Sequence, residues 1–122
     1  MSKTILTIDD SASIRQMVSM TLTAAGLDVI EAANGAEGYD KAIGQTVHAV
    51  LTDLNMPVLN GIEFIRKYRQ HPASKGVPII LLTTESDEEL KRQAKEAGAT
   101  GWIVKPFKQD QLLAIIKKVT GA

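Results

Sequence analysis

The sequence has 122 residues, of which 44% are hydrophobic and 23% charged, a composition typical of one globular domain with a single core. Its 14 basic and 14 acidic residues balance, so it lacks the positive field that drives non-specific binding to nucleic acid. The absence of cysteine excludes disulfides, thiolate metal sites and cysteine nucleophiles.

The amino terminus reaches two aspartates before any apolar stretch has the length of a signal peptide or a membrane span. We therefore expect a cytoplasmic protein without membrane association.

Short apolar runs rich in β-branched residues alternate along the chain with stretches of helical periodicity. Most of these runs lack the apolar and polar alternation of a half-exposed strand, which predicts buried parallel strands. The predicted strands are Thr4–Ile8, Asp28–Ala32, Ala49–Thr52, Val77–Thr83 and Thr100–Val104.

Between the strands, apolar residues recur at spacings of three and four, as in helices that pack one face against a sheet. One such stripe begins at Ile14 and another at Leu112. Residue pairs typical of a helix start, and glycines typical of a helix end, support this interpretation. The pairs are Asn34 with Glu37 and Ser86 with Glu89, and the glycines are Gly26 and Gly98.

The alternation of strands and helices predicts an α/β fold with a parallel sheet covered by helices on both faces. We expect one domain over residues 1–122. The last predicted helix runs almost to Ala122, so we expect no appended output domain.

Polar residues follow four of the predicted strands, at the edge where open parallel sheets bind their ligands. Because the carboxyl ends of parallel strands meet at one edge, these side chains are predicted to lie close together. They are Asp9 and Asp10 after the first strand, Asp53 after the third, Thr83 and Thr84 at the fourth, and Lys105 after the fifth.

Three crowded carboxylates repel one another unless a cation joins them, and oxygen ligands without histidine or cysteine favour Mg²⁺. Such a site suits a phosphoryl group. Asp53 is then the candidate nucleophile, since carboxylates serve as covalent phosphoryl acceptors. Lys105 would neutralise charge on the transferring group, and the Thr83 hydroxyl would contact one of its oxygens. Taken singly, each residue is more simply a turn, cap or solvated loop residue.

The ordered set of motifs resembles the signature of response regulator receiver domains. It comprises Asp9-Asp10, Asp53-Leu54-Asn55-Met56-Pro57 with Gly61, Thr83, and Lys105-Pro106-Phe107. The resemblance covers nearly the whole chain, and the length is similar to that of stand-alone chemotaxis regulators of the CheY type. It implies a flavodoxin-like fold of five helices and a five-stranded parallel sheet in order 2-1-3-4-5.

The resemblance also implies a function. A sensor histidine kinase would donate the phosphoryl group, and the Asn55 backbone carbonyl would be a further magnesium ligand. Phosphorylation would draw Thr83 inward and change the surface of helix 4, strand 5 and helix 5. The chain would be a monomeric signalling switch rather than an enzyme, promoting its own phosphoryl transfer and dephosphorylation. A flagellar motor switch protein or a phosphatase would be its partner.

Two positions depart from the usual family pattern. Trp102 replaces the common tyrosine or phenylalanine of strand 5 and is predicted to lie on the partner surface, while Thr84 is larger than the residue often found there. Asn55 and Glu85 are predicted to flank the phosphoryl group and to orient an attacking water, which would make the phosphorylated state short-lived.

Alternative functions remain open from the sequence. Within the family, the chain could act in motor binding, as a phosphate sink or as a phosphorelay intermediate. A haloacid-dehalogenase-type phosphatase is disfavoured because Asn55 stands where that chemistry needs an aspartate. An FMN binder is disfavoured because Asp9 and Asp10 would repel the FMN phosphate.

Overall fold

The computed structural model describes residues 3–84 and 87–121. Strands and helices alternate throughout, and a short 3₁₀ turn spans Pro72–Ser74. The elements are β1 (Thr4–Ile8), α1 (Ala12–Ala24), β2 (Asp28–Ala32), α2 (Gly35–Gly44), β3 (Ala49–Asp53), α3 (Gly61–Arg69), β4 (Ile79–Thr83), α4 (Glu88–Ala97), β5 (Gly101–Val104) and α5 (Gln109–Thr120).

The strands form one parallel sheet in the order β2-β1-β3-β4-β5, which confirms the predicted flavodoxin-like topology. Every residue of β3 and β4 is buried. The prediction of buried strands is wrong for parts of β2 and β5, where Glu31 and Val104 are exposed. These two strands lie at the edges of the sheet and have a neighbour on one side only.

Two hydrophobic cores lie on opposite faces of the sheet. The first contains Phe64 and Tyr68 of α3, whose rings stack 5.5 Å apart, together with Ala94 of α4. The second contains Leu22 of α1 and Leu112 of α5. The strands supply alternate residues to the two cores, so the helices must cover both faces of the sheet.

The predicted helix boundaries are largely confirmed. The Asn34 side chain accepts a hydrogen bond from Glu37 N at 2.9 Å, as an N-cap should. Gly98 ends α4 with a φ of +117°, a left-handed conformation that favours glycine. Ser86 lies outside the described residues, and the N-cap of α4 is Asp87, whose carboxylate accepts from Glu89 N at 2.7 Å.

The fourth strand begins at Ile79 rather than at Val77. Pro78 has no N–H group to give to a sheet, and Val77 N instead closes a turn onto Ser74 O at 3.0 Å. Within residues 3–84 and 87–121, no helix combines the length and the hydropathy that crossing a bilayer requires.

Candidate functional site

The carboxyl ends of β1, β3 and β5 deliver four charged side chains to one pocket. Oxygen atoms of Asp9, Asp10 and Asp53 all lie within 4.8 Å of one another. Lys105 Nζ donates to Asp53 Oδ1 at 2.9 Å and to Asp9 Oδ2 at 3.2 Å. Residues separated by 96 and 52 positions in the sequence are therefore joined by one ammonium group.

The strand ends fix these side chains through backbone hydrogen bonds. Asp9 N donates to Ala32 O at 3.0 Å, and Lys105 N donates to Thr83 O at 2.7 Å. Each bond continues the parallel pairing by one residue beyond the strand. The polar side chains therefore begin where the apolar strand ends, and the Lys105–Pro106 peptide bond is cis.

Helix α1 begins directly behind the pocket. Ser11 N donates to Asp9 Oδ1 at 2.9 Å, and Ser11 caps α1 by accepting from Ile14 N at 3.3 Å. The Arg15 guanidinium donates to the Asp9 backbone oxygen. These contacts hold Asp9, which is 1% exposed, while Asp10 remains open to solvent. Sequence reasoning missed Ser11 and Arg15, although a serine two residues after an aspartate is typical of a capped helix start.

The electrostatics of the pocket favour an added cation. Burial raises the pKa of Asp53, and the nearby Asp9 carboxylate adds to this, against the lowering effect of the Lys105 hydrogen bond. Burial alone would lower the pKa of Lys105, but hydrogen bonding and attraction to Asp53 and Asp9 outweigh it and raise the pKa. Lys105 therefore stays charged at neutral pH, and three carboxylates face one ammonium group.

The loop after β3 is held closely against the strand end. Gly61 N donates to Leu54 O at 2.9 Å, and a Cβ at Gly61 would lie 2.4 Å from Asp53 O. Inside this loop, Leu59 N donates to Pro57 O at 2.8 Å, so Val58 occupies the centre of a γ-turn with a φ of +72°. A β-branched residue is strained in this conformation, and the sequence carries no signal for it.

The other predicted site residues lie at different distances from solvent. Thr83 is the last residue of β4 and is 3% exposed, whereas Asn55 and Thr84 are exposed. Glu85 lies outside the described residues. Asn55 lines a groove of about 380 Å³ between the β3–α3 loop and the start of α4.

Neither histidine joins the pocket, as the sequence predicted. His48 precedes β3 at the amino edge of the sheet, where its Nδ1 accepts from Thr4 N at 2.9 Å. The Nδ1 of His71 accepts from Ala73 N at 3.0 Å in the turn after α3. The donor set near Lys105 in the described part of the chain is thus made of oxygen, which fits a hard cation such as Mg²⁺.

Comparison with known proteins gives one consistent family. The profile of the response regulator receiver domain matches residues 5–117. A chemotaxis protein CheY homolog of Campylobacter jejuni is 37% identical over 119 residues, covering 96% of this chain and 92% of that protein. The phosphate regulon transcriptional regulatory protein PhoB of Pseudomonas aeruginosa is 36% identical over 117 residues, covering 96% of this chain. The chain spans about half the length of PhoB, with 51% covered.

Solved structures agree. The chemotaxis protein CheY4 of Vibrio cholerae has a TM-score of 0.94 at 44% identity, covering 98% of this chain and 99% of that one. The receiver domain of sensor histidine kinase PA1611 from P. aeruginosa, with a magnesium ion coordinated in its active site cleft, has a TM-score of 0.91 at 28% identity and covers 100% of both chains. The chain belongs to the response regulator receiver domain family, and it is a phosphorylation-controlled switch rather than a classical enzyme.

Proposed function

We propose that this chain, as a single receiver domain over residues 1–122, accepts a phosphoryl group on Asp53 from a histidine kinase of a two-component system. The observation that carries the proposal is the position of Lys105 Nζ, 2.9 Å from Asp53 and 3.2 Å from Asp9, in a pocket of three carboxylates. An ammonium group held there by ion pairs can stay in place while a dianionic group arrives.

In the proposed transfer, a carboxylate oxygen of Asp53 attacks the phosphorus of a phosphohistidine. A P–O bond forms, the P–N bond breaks, and the histidine nitrogen recovers its electron pair and takes up a proton from solvent. Lys105 stabilises the negative charge on the equatorial oxygens, which is the main catalytic demand of phosphoryl transfer. Thr83, at the end of the neighbouring strand, would donate its hydroxyl to another of these oxygens.

The residues that would hold Mg²⁺ are Asp9, Asp10 and Asp53, with the backbone carbonyl of Asn55 as a further ligand. When bound, the ion supplies charge neutralisation to the carboxylates and the phosphoryl oxygens. The oxygen-only donor set supports this assignment. The related PA1611 receiver domain, which has a magnesium ion coordinated in its active site cleft, also supports this assignment.

The phosphoryl group leaves when water attacks phosphorus and the bond to Asp53 breaks, releasing inorganic phosphate. Asn55 and Glu85, two residues beyond Asp53 and Thr83 respectively, would orient this water, and Thr84 would narrow access to the site. We expect autodephosphorylation to make the modified state short-lived.

For the output, we propose that Thr83 and Trp102 change the surface of α4, β5 and α5 for binding of a partner in chemotaxis. The resemblance to CheY4 and to the C. jejuni CheY homolog over nearly their whole lengths supports this role. Similar identity to PhoB shows that related receivers also occur in a transcriptional regulator. A phosphate sink or a phosphorelay intermediate is the alternative output, and the family resemblance favours a cytoplasmic monomer.

The test is incubation with acetyl phosphate and Mg²⁺, followed by intact mass measurement. We expect one added phosphoryl mass on the wild type and on Asp40→Asn, a matched control at an exposed aspartate of α2, but not on Asp53→Asn. Labelling of Asp53→Asn to the same extent as the wild type would move the acceptor elsewhere and refute the mechanism.

A further inference from the structure

Lys91 of α4 lies over the face of the Trp102 ring in β5. Its Nζ is 5.1 Å from the ring centroid, within the range of cation–π attraction, and indole is the strongest partner for such contacts. The Lys91 side chain is 25% exposed, and its ion pair with the exposed Glu88 is long, at 3.9 Å. The indole is therefore a principal partner of this ammonium group.

The two halves of α4 are attached to the fold differently. The buried residues of the helix, Ala94 and Ala97, lie in its second half. At its end, Arg69 of α3 donates from Nε to Gly98 O at 3.0 Å. In the first half, Leu90 is only partly buried, and Lys91 contacts the Trp102 ring of β5.

Trp102 shares a sheet face with Thr83. Trp102 lies opposite Leu81 on the neighbouring strand β4. Thr83 follows Leu81 by two residues, so its side chain lies on the same face of the sheet, diagonal to Trp102. Trp102 also lines two surface grooves, of about 500 and 340 Å³, together with Ile115. A shift of Trp102 would therefore change the lining of both grooves.

We propose that Lys91 is a positioning residue that attaches the first half of α4 to β5 through its contact with the indole of Trp102. We call this attachment the latch, and we propose that phosphorylation weakens it. The weakening of the latch by phosphorylation rests on the proposed function. The phosphoryl group on Asp53 would draw Thr83 inward, and this movement would displace the neighbouring indole. The tryptophan that replaces the common tyrosine or phenylalanine at position 102 is thus paired with a cation on the adjacent helix.

The sign of the effect follows from linkage. A contact made in the unmodified state and lost in the modified state stabilises the unmodified state. Removing Lys91 should therefore favour the modified state. A cation–π contact at a partly exposed site corresponds to about a two- to fivefold change in that equilibrium.

Fluorescence can test the latch directly, because Trp102 is the single tryptophan of the sequence. The variants are Lys91→Met, which removes the cation, and Lys91→Arg, which restores one. Lys117→Met, at an exposed lysine of α5, is the matched control for charge and composition. The readouts are acrylamide quenching of Trp102 and titration with beryllofluoride, a phosphoryl mimic, in the presence of Mg²⁺.

We expect Lys91→Met to increase quenching and to lower the half-saturating beryllofluoride concentration about two- to fivefold, with both values near wild type in Lys91→Arg and Lys117→Met. Equal quenching in Lys91→Met and Lys117→Met would overturn the latch. If the half-saturating beryllofluoride concentration of Lys91→Met were unchanged or raised, the claim that the latch opposes phosphorylation would be overturned. Failure of acetyl phosphate to label the wild type would instead refute the proposed function, and the quenching comparison would still decide whether Lys91 positions Trp102.

Discussion

Replacing Gly61 with alanine puts a methyl group against the backbone next to Asp53. The added Cβ would lie 2.4 Å from Asp53 O, 3.0 Å from Leu81 Cδ1 and 3.1 Å from Leu54 Cα. Ordinary contact begins near 3.4 Å, so the start of α3 and the end of β3 must separate by about 1 Å. The closest atom belongs to the backbone, which cannot rotate away as a side chain can.

The cost of this substitution has two main parts. Overpacking a well-filled site costs about 1–3 kcal/mol, and stretching the hydrogen bond from Gly61 N to Leu54 O costs about 1 kcal/mol more. Alanine recovers up to about 1 kcal/mol through its higher helix propensity. We therefore expect Gly61→Ala to lower the free energy of unfolding by about 1–4 kcal/mol.

The same displacement should slow loading of Asp53 by acetyl phosphate. A misplacement of about 1 Å at a reacting group costs up to about a hundredfold in rate. Urea unfolding would measure the stability, and intact mass against time would measure the loading of folded protein. Gly44→Ala is the matched control, because an added Cβ there meets nothing within 4 Å. Equal stability and equal loading rates in the two variants would refute the close approach at Gly61.

Two further predictions concern strain and charge. Val58→Asn should raise the free energy of unfolding by about 1 kcal/mol, because asparagine tolerates the positive φ better and Val58 is 78% exposed. Urea unfolding would measure this free energy, and a lower value in the variant would contradict the strain at Val58. Burial raises the pKa of Asp53 in the folded protein above its value of about 3.9 in the unfolded chain. The folded state therefore binds this proton more tightly, which stabilises the protein at low pH. This stabilisation is lost as the pH rises through the folded-state pKa. In EDTA, the Tm of Asp53→Asn should therefore rise relative to wild type as pH increases from about 4 to 7, and a shrinking difference would contradict the raised pKa.

Much of the architecture was predictable because it depends on local patterns. The β-branched run from Thr4 to Ile8 became a strand with the predicted bounds, and Asn34 capped its helix as expected. The fourth strand was predicted two residues too early because Val77 is apolar and buried. Pro78 has no N–H group to donate, although its carbonyl accepts from Val50 N at 2.9 Å, and the strand begins at Ile79.

The candidate site was predictable for a related reason. Parallel strands place their carboxyl ends at one edge, so Asp9, Asp53 and Lys105 could be expected together once the strands were recognised. Their distances, and the balance of burial and charge that raises the pKa of both Asp53 and Lys105, depend on the packed structure. No periodicity in the sequence carries that information.

The sequence by itself determined the order of strands and helices, the residues at each strand end and the residue types that suit a phosphoryl group. The tertiary structure alone decided that Val58 would be strained, that Gly61 would touch the backbone of Asp53 and that Lys91 would cover Trp102. Strands and caps arise from neighbours along the chain, whose spacing is visible in the sequence. The remaining contacts arise where separate elements meet, and their geometry is set by the packing of the whole domain.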